Sequence, residues 1–113
     1  MQNVTRTVPL VTPHVNVLAN PSGTGNTVVV AAVAGARYRV LSCMVISTLA
    51  NNVKFQSNTT DITATFPLGA NGGFMLPFSE HGWFETAVGE ALNVNLSVAT
   101  ATGVQIQYIK LNS

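Results

Sequence analysis

The chain has 113 residues, of which 47% are hydrophobic and 8% charged, and its formal net charge is +1. That length fits one domain built on a single core. Cations this sparse exclude nucleic acid as an expected partner, because phosphate binding needs several grouped Lys or Arg and only Arg37 and Arg39 lie close together.

Ordinary soluble proteins carry about 25% charged residues, so this surface must be built largely from Asn, Thr, Ser and Gln. A neutral surface of this kind predicts that neighbouring subunits cover part of it. The lone Cys43 forms no intrachain disulfide and no thiolate-rich metal site. The longest apolar run, VVVAAVAG at 28–35, is too short to cross a bilayer, so no membrane partner is expected. Pro9 and Pro13 interrupt the apolar start, which removes the pattern of a secretory signal and predicts a soluble product of a reducing compartment.

Taken from the start, residues 1–12, MQNVTRTVPLVT, read as an extended arm, with Val4, Arg6 and Val8 as contacts to a neighbouring subunit or surface. Residues 13–113 read as the folded domain. Its candidate strands are 13–19, 26–33, 37–48, 53–57, 60–68 and 73–78, separated by Asn20-Pro21-Ser22-Gly23, Gly35, Asn51-Asn52, Asn58-Thr59 and the Gly69–Gly73 turn. The clearest alternation is ALNVNLSV at 91–98, where Leu92, Val94, Leu96 and Val98 oppose Asn93, Asn95 and Ser97. VQIQYIKL at 104–111 repeats it, and ATATG at 99–103 has the length of a hairpin connection. Eight or so short strands predict an all-β fold, an antiparallel jelly-roll-like sandwich, with at most one helical turn around 84–88.

Several strands are apolar on both faces. With Tyr38, Val40, Met44 and Ile46 lining the core, Leu41, Cys43 and Val45 face outward, as do Ile109 and Leu111 in the last strand. Either such strands are covered on both sides within the chain, or their outer face meets another subunit; Leu41, Val45, Ile109 and Leu111 are therefore candidate interface residues.

The stretch SEHGWFETAVGEAL at 79–92 gathers three of the four acids, one histidine and the only tryptophan. Glu80 and Glu85 have the residue types of a glycosidase pair, but nothing nearby in the sequence would shift either pKa. His81 lacks an activated Ser or Cys for a nucleophilic triad, and with Glu80 it falls short of a metal-ligand set. No catalytic, metal or cofactor site is expected. Gly82 and Gly89 instead read as corners, with Trp83 and Phe84 pointing to opposite faces so that one ring closes the sandwich end and the other faces out. Glu85 and Glu90 are expected on solvated rims.

The span from about residue 50 to 111 resembles small virion proteins of tailed bacteriophages. The features that carry the likeness are Phe55, Phe66-Pro67-Leu68, the Gly-rich turn of GANGG, Leu76-Pro77-Phe78, Gly82-Trp83-Phe84, Gly89-Glu90-Ala91-Leu92 and the final strand with Tyr108. The resemblance implies a jelly-roll-like domain, usually trimeric, that binds an assembled particle and performs no chemistry, with Gly82, Trp83, Phe84, Gly89, Leu92 and Tyr108 as scaffold. The expectation is a capsid decoration, or cement, protein made in the host cytoplasm and bound as a homotrimer to the major capsid protein on the outer shell. Lacking a long repeat, coiled coil or collagenous segment, the chain fits a standalone decorating protein better than a fibre tip. The alternative is a tail or fibre module that binds host glycans through Trp83, Phe84, His81 and Glu85.

Overall fold

Alternating apolar and polar residues place one side of a strand against a core and the other towards water. Ten strands, the longer ones largely following that rule, make up a computed structural model that describes residues 13–112: β1 (Val15–Ala19), β2 (Gly25–Val30), β3 (Ala36–Ser47), β4 (Asn51–Ser57), β5 (Thr60–Asp61), β6 (Phe66–Leu68), β7 (Gly72–Leu76), β8 (Phe84–Glu85), β9 (Leu92–Leu96) and β10 (Thr102–Asn112). The expected arm, with Val4, Arg6 and Val8, lies outside the described residues. Among the described residues there is no helix; the segment expected to make a helical turn carries β8 and a turn closed by Gly89.

The strands form two antiparallel sheets, giving the all-β sandwich expected from the sequence. The first sheet has the order β1-β10-β3-β7, with β8 also on β3; the second has the order β2-β9-β4-β5, with β6 also on β4. Both contribute to one core, with Val40, Val45 and Ile106 from the first sheet packed with Val53, Phe55 and Val94 from the second, all inaccessible to solvent. Each such side chain contributes about 1.5–3 kcal/mol through burial. Aromatic pairs bridge the sheets at two points: Phe55 stacks on Phe84 with ring centroids 5.1 Å apart, and Phe66 meets Phe74 at 4.5 Å.

A β-bulge in β3 decides which residues reach that core. Along the β3–β10 pair, Ser42 faces Gln107 and Val40 faces Tyr108, so Leu41 has no partner. One extra residue reverses the inside-outside phase of everything beyond it. Tyr38 and Val40 point inward before the bulge, Cys43 and Val45 after it, and Met44 and Ile46 are left exposed. The expectation that Cys43 and Val45 face outward is therefore wrong, as is the placement of Met44 and Ile46 in the core. Leu41 is also buried, although it is not a member of the inter-sheet cluster, so its own chain covers it and no sister subunit is needed.

Other boundaries differ for local reasons. ATATG is not a hairpin: it carries the chain from β9 in the second sheet to β10 in the first. The 60–68 segment splits into β5 and β6 on one edge of β4, because Thr63 turns inward to accept a hydrogen bond from the Phe55 amide at 3.0 Å. The true hairpin turn is at Asn58, with φ of 55°, a conformation that Asn tolerates well. At Gly73 a Cβ would overlap the carbonyl oxygen of Val45, so β7 approaches β3 this closely only with glycine there.

Asn51 begins β4 and does not form a turn. Its Oδ1 accepts from the Ser97 amide, the Ser97 hydroxyl and the Val98 amide, each at 3.0 Å, while its Nδ2 donates to the Val98 carbonyl at 3.2 Å and to Ser47 Oγ at 3.4 Å. This one amide ties the end of β3 to the exit of β9. Replacing it leaves several buried polar groups unpaired. Asn51→Ala is expected to cost about 2–3 kcal/mol and to lower the midpoint of thermal unfolding by roughly 10 °C, measured by circular dichroism.

Burial pushes the Cys43 thiol up to about 12 from its ordinary 9.0, and burial together with Tyr108 raises Tyr38. The unfolded chain therefore ionises first on the alkaline side, and stability present below about pH 9 falls as the pH rises towards 12. Denaturant midpoints measured between pH 8 and pH 11 are expected to fall with pH, with a shallower fall in Cys43→Val.

Candidate functional site

The stretch that concentrates the acids and the tryptophan runs along the edge of β3. Beyond β7, the chain leaves the sheet at Pro77 and returns as β8, where Phe84 faces Val40 and Glu85 faces Arg39. Backbone bonds continue the contact on both sides of β8: Ser79 donates to the Leu41 carbonyl at 2.9 Å, Trp83 to Val40 at 2.8 Å, Thr86 to Tyr38 at 2.9 Å and Gly89 to Ala36 at 2.7 Å. Thr86 Oγ1 also accepts from the Tyr38 amide at 2.9 Å. Gly82 and Gly89 hold φ of 81° and 79°, and a Cβ on Gly82 would overlap the Arg39 side chain. Phe84 turns inward onto Phe55, whereas Trp83 stays 46% exposed with its indole Nε1 donating to the Pro77 carbonyl at 2.7 Å.

The acids serve this scaffold. Glu85 Oε2 accepts from Arg39 Nε and Nη2, both at 3.3 Å. Arg37 Nε approaches Glu85 Oε1 at 3.4 Å, but the pair is not aligned as a hydrogen bond. Glu90 Oε1 accepts from Ser57 Oγ at 2.6 Å, and that same Oγ accepts from the Ala87 amide at 2.9 Å. Glu85 and Glu90 are thus bonded, partly buried groups and not solvated rims. Asp61 lies apart, bonded to Gln56 and Lys54, which together hold its carboxyl below the ordinary range. Among the described residues no three His, Cys, Asp or Glu side chains are grouped to hold a metal. His14 lies against Phe78, with ring centroids 5.6 Å apart.

The outer face of the first sheet is divided by the excursion at 77–83. On one side of it, Ile109 faces Arg39 and Leu111 faces Arg37 across the β3–β10 pair, so half-buried aliphatic residues alternate with the guanidinium groups bound to Glu85. On the other side, a single row crosses all four strands: Leu18, Gln105, Met44 and Met75. Leu18 is 70% exposed and Met75 64%, and Ile46 stands in the next row, 51% exposed, between Gly103 and Gly73. No charged residue lies in either row. Two open grooves of about 240 and 340 Å³ flank the Met44–Ile46 ridge, one bounded by Leu18 and floored by Gly103, the other bounded by Met75 and Gly73.

This apolar field is the part of the surface with the clearest capacity to bind another macromolecule, and sequence reasoning missed it. Leu18 and Met75 carried a signal: each interrupts an alternating strand with an apolar residue on the polar phase. Met44 and Ile46 carried none, because the bulge that exposes them has no residue signature of its own. Of the expected interface residues, Ile109 and Leu111 lie on the outer face beside the arginines, while Leu41 and Val45 are buried within the chain.

Comparison with known families and with curated proteins finds no matching family model and no matching protein.

The opposite placement of Trp83 and Phe84 separates stability from surface chemistry. Phe84→Ala is expected to cost about 2–3 kcal/mol, lowering the thermal midpoint by roughly 10 °C, through loss of the stack on Phe55. Trp83→Ala is expected to cost about 1 kcal/mol or less, since the residue is already 46% exposed to water. Parallel thermal melts of the two variants check this ordering.

Proposed function

We propose that this chain is a non-enzymatic structural protein of a tailed-phage virion, a capsid decoration protein that binds the outer head surface and stabilises the shell. The observation that carries the reading is the charge-free apolar field on the outer face of the first sheet. A catalytic protein concentrates polar groups in a concave site, whereas here Glu85 and Thr86 of the most functional-looking stretch bond to β3 and Glu90 bonds to Ser57 of β4. The major capsid protein is the partner this reading assigns, and the homotrimer is the assembly state that the resemblance supplies. The arrangement also supports the jelly-roll form of the sandwich, since the chain alternates between sheets and its first described strand, β1, lies beside its last, β10.

Decoration draws on many modest contacts. A contact of limited area is weak alone, but an oligomer bound at several points gains avidity without any new chemistry. Clamping adjacent shell subunits in this way raises the resistance of the particle to heat and to internal pressure.

The exposed ring of Trp83 favours a second reading, a tail or fibre module that stacks host glycans on that ring. Reconstruction of intact virions separates the two. Density for this chain on the outer head, between major capsid subunits, is the expected result; density confined to the tail overturns the decoration reading in favour of the glycan-binding one.

A further inference from the structure

A surface that covers the apolar field has to be equally free of charge, because a charged group brought against it would be stripped of water without compensation. From its relief we infer that, in copies not seated on another partner, the field pairs with the same field on a second copy of this chain, about a two-fold axis, so that self-pairing and partner binding compete for one face. The inference rests on reading this face as an interface but not on the virion role.

The relief fits itself. Ile46 is the prominent side chain of its row, and its neighbour across β10 is Gly103, where an added Cβ would meet nothing within 4 Å. A knob and a hollow therefore lie side by side, one strand spacing apart. Turning a second copy over about an axis midway between them seats each Ile46 over the Gly103 of the other copy, in the groove of about 240 Å³ bounded by Leu18. That reciprocity is what a two-fold contact requires. Gln105 stands between Leu18 and Met44 in the adjoining row. An amide both donates and accepts, so an identical amide from the second copy satisfies it.

The area sets the strength. Four strands about 4.8 Å apart and five residues long cover roughly 300 Å² in plan, against about 800 Å² per partner in a stable complex. The pair is therefore weak, with a dissociation constant on the order of 100 µM, and it becomes populated only where copies are concentrated. The outer face of the second sheet carries asparagines instead of such an apolar row: Asn95 Nδ2 donates to Asn26 Oδ1 at 2.7 Å, and Asn93 Nδ2 to the Asn58 carbonyl at 2.7 Å, while Asn93 Oδ1 has no partner among the described residues.

Sedimentation equilibrium of the full chain from about 5 µM to 1 mM tests the pairing, alongside Ile46→Lys and Gly103→Val. Ile46 is half exposed and the space above Gly103 is open, so both variants are expected to keep the wild-type circular dichroism and thermal midpoint. The wild type is expected to gain mass by association across this range, whatever its dilute unit, and each folded variant to weaken that association at least tenfold. A wild type whose mass stays constant to 1 mM overturns the inference, leaving the field to a foreign partner or to residues 1–12. Self-association that is unchanged in both folded variants also overturns it, even where the protein still binds phage heads.

Discussion

The pairing of β3 with β10, and the single unpaired residue within it, governs the rest of the molecule. These two strands form the centre of the first sheet, and β7, β8 and β1 attach only through them. Because strand side chains alternate with a period of two, the extra residue at Leu41 divides β3 into halves of opposite phase. One half sends Tyr38 and Val40 into the core and turns Arg37 and Arg39 outward to Glu85. The other half sends Cys43 and Val45 inward and exposes Met44 and Ile46. An ion-paired surface and an apolar surface thus occupy the same face of one sheet, with the 77–83 excursion between them.

The distribution of charge follows from the same geometry. Of the nine charged residues, five serve internal attachment: Arg39 and Glu85 hold β8, Glu90 holds Ser57, and Lys54 with Gln56 holds Asp61. Exposed ion pairs contribute at most about 1 kcal/mol each, so the sandwich owes its stability to the inter-sheet core and to buried polar hubs such as Asn51. On the outer face of the first sheet, the row of Leu18, Gln105, Met44 and Met75 is left as uncharged amide and apolar surface.

Period-two alternation was enough to read the all-β class and most strand positions directly, because a half-buried strand has to alternate. It also placed Phe84 and Trp83 on opposite sides of their segment, and glycine at the two corners that need positive φ. Residues whose position depends on a distant partner were not legible. ATATG has hairpin length, yet whether it joins neighbours in one sheet or crosses to the other is decided by which strand lies beside β10. Asn51 resembled a turn residue because its side chain prefers local backbone partners, and here those partners come from the end of β9. The bulge at Leu41 was the costliest omission, since it exchanges buried and exposed identities for every residue up to Ser47.

Segment 77–89 has a consequence for growth. An outermost strand with a regular row of free amides and carbonyls invites a stranger to extend the sheet, the route by which β proteins become fibrils. On this side of the molecule the border is broken into β7, an outward detour and the two-residue β8, so it presents no continuous template for an incoming strand. Polymerisation along that rim is blocked, and association is diverted to the flat faces, where a pair closes on itself and stops.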